Sequence, residues 1–192
     1  MGKLFGTDGI RGVANIFPMT PEMVLSIGKA TAHVFKEKCG KEKPKFVIGK
    51  DTRLSGYMIE NALASGIVSV GADVLLVGPM PTPAIAYLTK SLNADAGIVL
   101  SASHNPAEDN GIKIFSENGH KLSDNVEDEI EKYVLSGKIK TEHIKGDLIG
   151  KAHRVDDAKE RYIEFAKASV ESMSMKGLRV ILDCANGAAY NT

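Results

Sequence analysis

Three short apolar segments, separated by helical patterns, constrain the fold of this 192-residue chain more than any other feature. They are residues 45–49 (Lys-Phe-Val-Ile-Gly), 72–77 (Ala-Asp-Val-Leu-Leu-Val) and 96–100 (Ala-Gly-Ile-Val-Leu). Short, nearly continuous apolar runs predict strands buried on both faces, as in parallel sheets. Between them the pattern predicts a helix from about Tyr57 to Val70 and another from Thr82-Pro83 to about Leu92. Ahead of them, Thr20-Pro21 opens a helix with Val24, Ile27, Thr31, Val34 and Phe35 at helical spacing, which Gly40 ends. Alternating strands and helices imply crossover helices on both faces of a sheet. The expected fold is α/β, a layered α/β/α domain with a mainly parallel mixed sheet. Such sheets bind ligands outside the carboxyl ends of their strands. Two polar loops leave those ends, 50–56 and 101–106, and are expected to share one site. In the first, Ser55 is expected to cap the following helix.

Downstream, Ile112–Phe115 reads as a further strand and residues 117–119 as a turn. Ser123 precedes a helix from Asp124 to about Leu135, with Val126, Ile130 and Val134 on one face. Residues 137–154 are polar and weakly patterned, and are expected to be a linker. An amphipathic helix is expected from Val155 to about Val170, and a last strand over 178–183. One helix and one strand cannot bury a core of their own. The chain therefore divides into a domain over 1–150 and, over 151–192, the truncated start of a second, similar domain. An exposed strand edge there calls for a partner, which makes a homo-oligomer through this segment an expectation.

Lys and Arg number 24, as do Asp and Glu. This balance argues against a general nucleic-acid or membrane-surface binder. No apolar run approaches the ~20 residues of a membrane span, and the first residues lack the apolar segment of a signal peptide. No nucleic-acid partner, no membrane and a cytoplasmic location are the expectation. Cys39 and Cys184 stand far apart, outside any metal or redox spacing, and are expected to be free thiols.

The third apolar run leads into Ser101-Ala-Ser-His-Asn-Pro106, and Asn110-Gly-Ile-Lys113 follows. Taken alone, Ser103 is a turn serine, Lys113 a strand-end lysine and Arg11 an ion-pair partner for Asp8. A serine hydrolase would need a different context. The G-x-S-x-G elbow is absent, and His104 is adjacent to Ser103, an unusual place for a triad base. Lys113 lies between Ile112 and Ile114, so alternation directs it to the opposite sheet face.

Ser-His-Asn-Pro followed by Asn-Gly-x-Lys resembles the phosphoserine loop of the α-D-phosphohexomutases. The opening Phe5-Gly-Thr-Asp-Gly-Ile-Arg-Gly12 and Ser101 are most like a bacterial branch that acts on hexosamine phosphates. The resemblance implies that Ser103 carries a phosphoryl group and passes it to a hexosamine or hexose phosphate. A sugar bisphosphate then rephosphorylates the serine. In the hexosamine branch this converts glucosamine 6-phosphate to glucosamine 1-phosphate, for cell-wall precursors. It further implies that His104 donates a hydrogen bond and that Arg11 lies by the phosphoserine. The lysine matching Lys113 is a candidate proton acceptor, with electrostatic stabilisation the alternative. Asp8, Asn105, Asn110 and Arg53 would line the phosphate environment, Asn105 in an Asx turn stiffened by Pro106 and Arg53 adding positive charge. Mg²⁺ is the implied cofactor, bound through the phosphoryl group on Ser103. The family's aspartate-rich metal loop, D-G-D-G-D-R, does not occur in this chain, nor do the sugar-reading and substrate-phosphate loops. The chain alone is therefore expected to be inactive. A glucose- or mannose-phosphate mutase of the same family, or a non-catalytic isolated domain, is the alternative.

Overall fold

The computed structural model describes residues 4–170, 174 and 176–192. In chain order the elements are β1 (Ile10–Val13), α1 (Pro21–Cys39), β2 (Lys45–Lys50), α2 (Ser55–Ser69), β3 (Asp73–Pro79) and α3 (Thr82–Ser91). There follow β4 (Ala96–Leu100), β5 (Asp109–Ser116), α4 (Asp124–Ser136), β6 (Ala152–Arg154) and α5 (Ala158–Ala168). The strands form one sheet in the order β1-β5-β4-β2-β3-β6. β4, β2, β3 and β6 run parallel, and β5 is antiparallel to both β4 and β1. This is the layered α/β/α architecture with a mainly parallel mixed sheet.

Local chemistry explains the helix ends. The Thr20 hydroxyl accepts from the Met23 N–H, Pro21 takes the first helical turn, and Gly40 closes α1 at φ 60°. Because strand side chains alternate, β2 and β4 feed two cores. Ile48, Ile98 and Leu100 join Ile27, Ile59, Leu63, Ile67 and Ile130 on the α1, α2 and α4 face. Val47 and Val99 join Ala84, Ile85, Leu88 and Ala158 beneath α3 and α5. Each large aliphatic side chain buried this way contributes roughly 1.5–3 kcal/mol. α1 and α2 touch through glycines. A Cβ on Gly66 would sit 2.2 Å from the Leu25 carbonyl oxygen, and one on Gly28 2.5 Å from that of Leu63.

Four local expectations change. β1 was not foreseen; it pairs along β5, with Arg11 opposite Gly111. Residues 137–154 are not a plain linker. Gly146–Leu148 form a 3₁₀ turn, the Gly150 N–H donates to the Val68 carbonyl, and β6 adds a parallel edge to β3. Their polarity reflects an edge strand whose three residues are exposed. Residues 178–183 form no strand, and Leu178, Val180, Ile181 and Leu182 are exposed. No neighbouring strand among the described residues offers this segment a ladder, and an unpaired strand is not stable. Ser55 does not cap α2: it is the first helical residue, the cap position falls to Leu54, which has no polar side chain, and the Ser55 hydroxyl accepts from Asn110.

α5 lies against α3, with Phe165 stacked on Tyr87 at a centroid distance of 4.1 Å and Ala158 buried. The expected domain boundary after residue 150 thus falls two residues ahead of a strand that joins this sheet.

Candidate active site

The two polar loops meet because the strands that feed them are neighbours. Lys50, the last residue of β2, pairs with Leu100, the last of β4, and the Asp51 N–H donates to the Leu100 carbonyl at 2.9 Å. The chain then returns along β5, so residues 101–108 form a hairpin connection. Its neck is tied where the Ser101 N–H donates to the Gly111 carbonyl at 3.0 Å. A Cβ on Gly111 would lie 2.7 Å from the Ser101 carbonyl oxygen, so this neck requires glycine.

Ser103 is exposed at the tip with φ 58°, the left-handed region that non-glycine residues rarely adopt. Its N–H donates to Ser101 Oγ at 3.0 Å, and its own Oγ lies 3.5 Å from His104 Nδ1. Asn105 braces the loop: its N–H donates to the Ala102 carbonyl and its Nδ2 to Asp109 Oδ2 at 2.9 Å. Asn110, fully buried, joins the loops. Its Nδ2 donates to Ser55 Oγ at 2.9 Å, and its Oδ1 accepts from the Gly111 N–H at 2.8 Å.

Arg53 reaches the same loop from the other side. Its Nε donates to Asp51 Oδ2 at 2.9 Å, and its Nη1 to the Pro106 carbonyl and to that of Asp109 at 2.9 Å. Nη2 donates to the carbonyls of Ser103 and Asn105, each at 2.9 Å.

A second group lies along β1 and β5. Asp8 forms ion pairs with Arg11 and, at 2.6 Å, with Lys113. Burial pushes the Asp8 carboxyl up, but the hydrogen bonds and charges of Lys113 and Arg11 outweigh it and hold it below the ordinary carboxylate value. Ile112 and Ile114 are buried in one core, so Lys113 emerges toward the other face; beside it lies a cavity of about 120 Å³ lined also by Asp8, Gly9, Thr82, Ile114, Phe115, Lys121 and Glu127. Gly9, at φ 86°, cannot be replaced here, since its Cβ would fall 2.3 Å from the Ile112 carbonyl oxygen. The two groups meet at Gly111, which pairs with Arg11 on one side and accepts from Ser101 on the other.

Two residues with a place in the site's support were not singled out from sequence. Lys50 and Glu60 form an ion pair under the 51–54 loop, their side chains 4% and 7% exposed. The Lys50 ammonium also lies 4.0 Å from the Tyr57 ring centroid, and Glu60 Oε1 is buried without a partner. The signal was present as a lysine ending an apolar strand ten residues before a glutamate on the next helix, but that spacing is common on surfaces. Among the described residues no group of three or more His, Cys, Asp or Glu side chains is placed to hold a metal ion. The loop carboxylates Asp51 and Asp109 are engaged by Arg53 and Asn105. The donor set present does not fit a resident Mg²⁺.

Residues 2–140 match the family model "Phosphoglucomutase/phosphomannomutase, alpha/beta/alpha domain I". A phosphoglucosamine mutase from Syntrophotalea carbinolica is 59% identical over 189 residues, 98% of this chain and 41% of the relative. One from Geotalea uraniireducens is 57% identical over 191 residues, 99% of this chain and 42% of the relative. The chain thus spans about two-fifths of the length of these curated relatives. Among solved structures, a putative phosphomannomutase from Thermus thermophilus superposes with a TM-score of 0.70 at 29% identity, covering 86% of this chain and 35% of that one. A phosphoglucomutase/phosphomannomutase family protein from Burkholderia thailandensis gives 0.68 at 27% identity, covering 84% and 34%.

Proposed function

The chain belongs to the phosphoglucomutase/phosphomannomutase family, and we propose that it is the phosphoserine-bearing N-terminal part of a cytoplasmic phosphoglucosamine mutase. The observation that carries the reading is the presentation of Ser103. Its hydroxyl stands exposed at the carboxyl end of β4, on a loop whose carbonyls are tied to Arg53. The names and identities of the relatives support the hexosamine branch over a glucose- or mannose-phosphate mutase.

In this reading the bond between phosphorus and Ser103 Oγ breaks as a hydroxyl oxygen of glucosamine 6-phosphate bonds to phosphorus. The proton of that hydroxyl ends on the departing Ser103 oxygen, and in the second transfer it passes back to the sugar oxygen that leaves phosphorus. The resulting bisphosphate returns its other phosphoryl group to Ser103 Oγ, releasing glucosamine 1-phosphate for cell-wall precursor synthesis. His104, adjacent to the serine oxygen, is placed to donate to a phosphoryl or sugar oxygen. The Lys113 side chain, paired with the Asp8 carboxylate at 2.6 Å, would act as proton acceptor for the sugar hydroxyl or as electrostatic stabiliser of the transferring group. Mg²⁺ would lower charge repulsion at the transferring group. The described residues do not supply its ligand set. The domain division at residue 150, and self-association through 151–192, belong to the same proposal.

The test is made in the full-length enzyme carrying this segment. Ser103→Ala is expected to lower turnover on the order of 10⁴-fold or more, with the serine phosphate gone from the intact mass and the fold unchanged. Lys113→Met in the same background is expected to lower kcat with little change in melting temperature. Near-normal turnover by folded Ser103→Ala would refute the phosphoserine reading.

A further inference from the structure

A guanidinium group has five N–H donors and no acceptor. On Arg53 all five are used: one on the Asp51 carboxylate and four on the carbonyls of Ser103, Asn105, Pro106 and Asp109. The side chain is 9% exposed. It has no donor left for a phosphate, so beyond adding positive charge near the site Arg53 has a second role open to it.

We propose that Arg53 is the positioning residue of the serine loop: by gathering four of its carbonyls on one nearly buried cation, it fixes Ser103 for phosphoryl transfer without touching substrate. The inference rests on the phosphoserine reading above. Its physical basis is threefold. Four carbonyl dipoles converging on one point repel each other unless a cation sits there. The left-handed conformation of Ser103 is unfavourable by roughly 1–2 kcal/mol, so the loop left alone relaxes out of it. Each carbonyl oxygen held by Arg53 is also one turned away from an incoming anion. Asp51 completes the device, because its carboxylate accepts from both the Arg53 backbone N–H, at 3.1 Å, and Nε, fixing the plane of the fork from outside the loop.

Lysine cannot substitute. Its ammonium has three donors at one point and cannot span five acceptors. In the full-length enzyme, Arg53→Lys is expected to lower kcat on the order of 10²-fold, the usual effect of a small misplacement of reacting atoms. KM for the sugar phosphate should change less than about 3-fold, because no ground-state contact is lost. In the 192-residue chain itself, the same variant should show faster amide exchange over residues 103–109 with the rest unchanged. Methylguanidinium added to Arg53→Gly is expected to restore part of the kcat.

Wild-type exchange and wild-type kcat in Arg53→Lys would overturn the proposal. So would a raised KM at constant kcat, which would mark a direct phosphate contact. If Arg53→Lys fails to fold, Asp51→Asn keeps the guanidinium and removes its anchor. A smaller kcat loss with faster loop exchange is then expected, and no change in either overturns the proposal. The exchange measurement needs no catalysis. It therefore still decides the role of Arg53 if Ser103→Ala retains turnover and the phosphoserine reading falls.

Discussion

Replacing Lys50 by methionine should be among the most damaging single changes this chain can carry. Lys50 and Glu60 are buried together, with side-chain exposures of 4% and 7%, and one Glu60 oxygen already lacks a partner. Lys50→Met leaves the carboxylate with neither its ion pair nor access to water. Breaking a buried pair in this way costs about 3–5 kcal/mol. Domain stability as a whole is only about 5–15 kcal/mol. At ~2–4 °C per kcal/mol for a chain of this size, the melting temperature should fall by about 6–20 °C. Removing both charges should be far milder. Lys50→Met/Glu60→Leu fills the site with apolar atoms and is expected to range from neutral to a gain of ~1–4 kcal/mol. Thermal melts followed by circular dichroism on the four proteins of the cycle give the coupling directly. A single Lys50→Met that melts within 2 °C of wild type, by rough conversion under 1 kcal/mol, would refute the reasoning. It would mean that the pair is open to solvent.

Two further outcomes follow from geometry already described. Gly66→Ala gains up to ~1 kcal/mol of helix propensity but drives a methyl to 2.2 Å from the Leu25 carbonyl oxygen. Overpacking of ~1–3 kcal/mol should win, and Gly28→Ala/Gly66→Ala should lose less than the sum of the singles, since one separation of α1 from α2 relieves both. A melting temperature raised by Gly66→Ala would contradict this. The Asp8 carboxyl has a folded value below its unfolded one, so its pairing stabilises above the ordinary carboxylate range and is lost as pH falls through the lowered value. The carboxylate is more than half exposed, which limits the effect to about 1 kcal/mol. Urea midpoints of wild type and Asp8→Asn should differ at neutral pH and converge in acid; a constant difference would show that Asp8 acts otherwise.

The central sheet was legible because β2, β3 and β4 lie between helices, and burial on both faces writes itself as continuous apolar residues. β1, Ile-Arg-Gly-Val, carries no such mark, since it lies at an edge and follows β5 by pairing alone. β6 has the same difficulty: Ala-His-Arg is three exposed residues held by β3. The apolar run over 178–182 misled in the opposite sense. Its composition reports a need for burial, and no strand among the described residues offers it a ladder. At the candidate site, Ser103, His104, Asn105, Asn110 and Lys113 could be proposed together because they are close in sequence. The hydrogen bonds of Arg53 were not legible, because they reach carbonyls 50–56 residues away. The partner of Ser55 was equally hidden, since its hydroxyl accepts from Asn110 across 55 residues.

The two borders of the sheet also bear on how this protein behaves at high concentration. β1 has four residues and β6 three, and among the described residues these form the two rims of the six-stranded ladder. Short rims give another molecule little backbone to zip onto, and His153 and Arg154 add polar and charged groups at one of them. Growth of fibres by sheet extension is therefore blunted at both ends. Self-association, where it occurs, should fall to the bare apolar stretch at 178–182, and trimming or charging that stretch is the direct way to keep preparations dispersed.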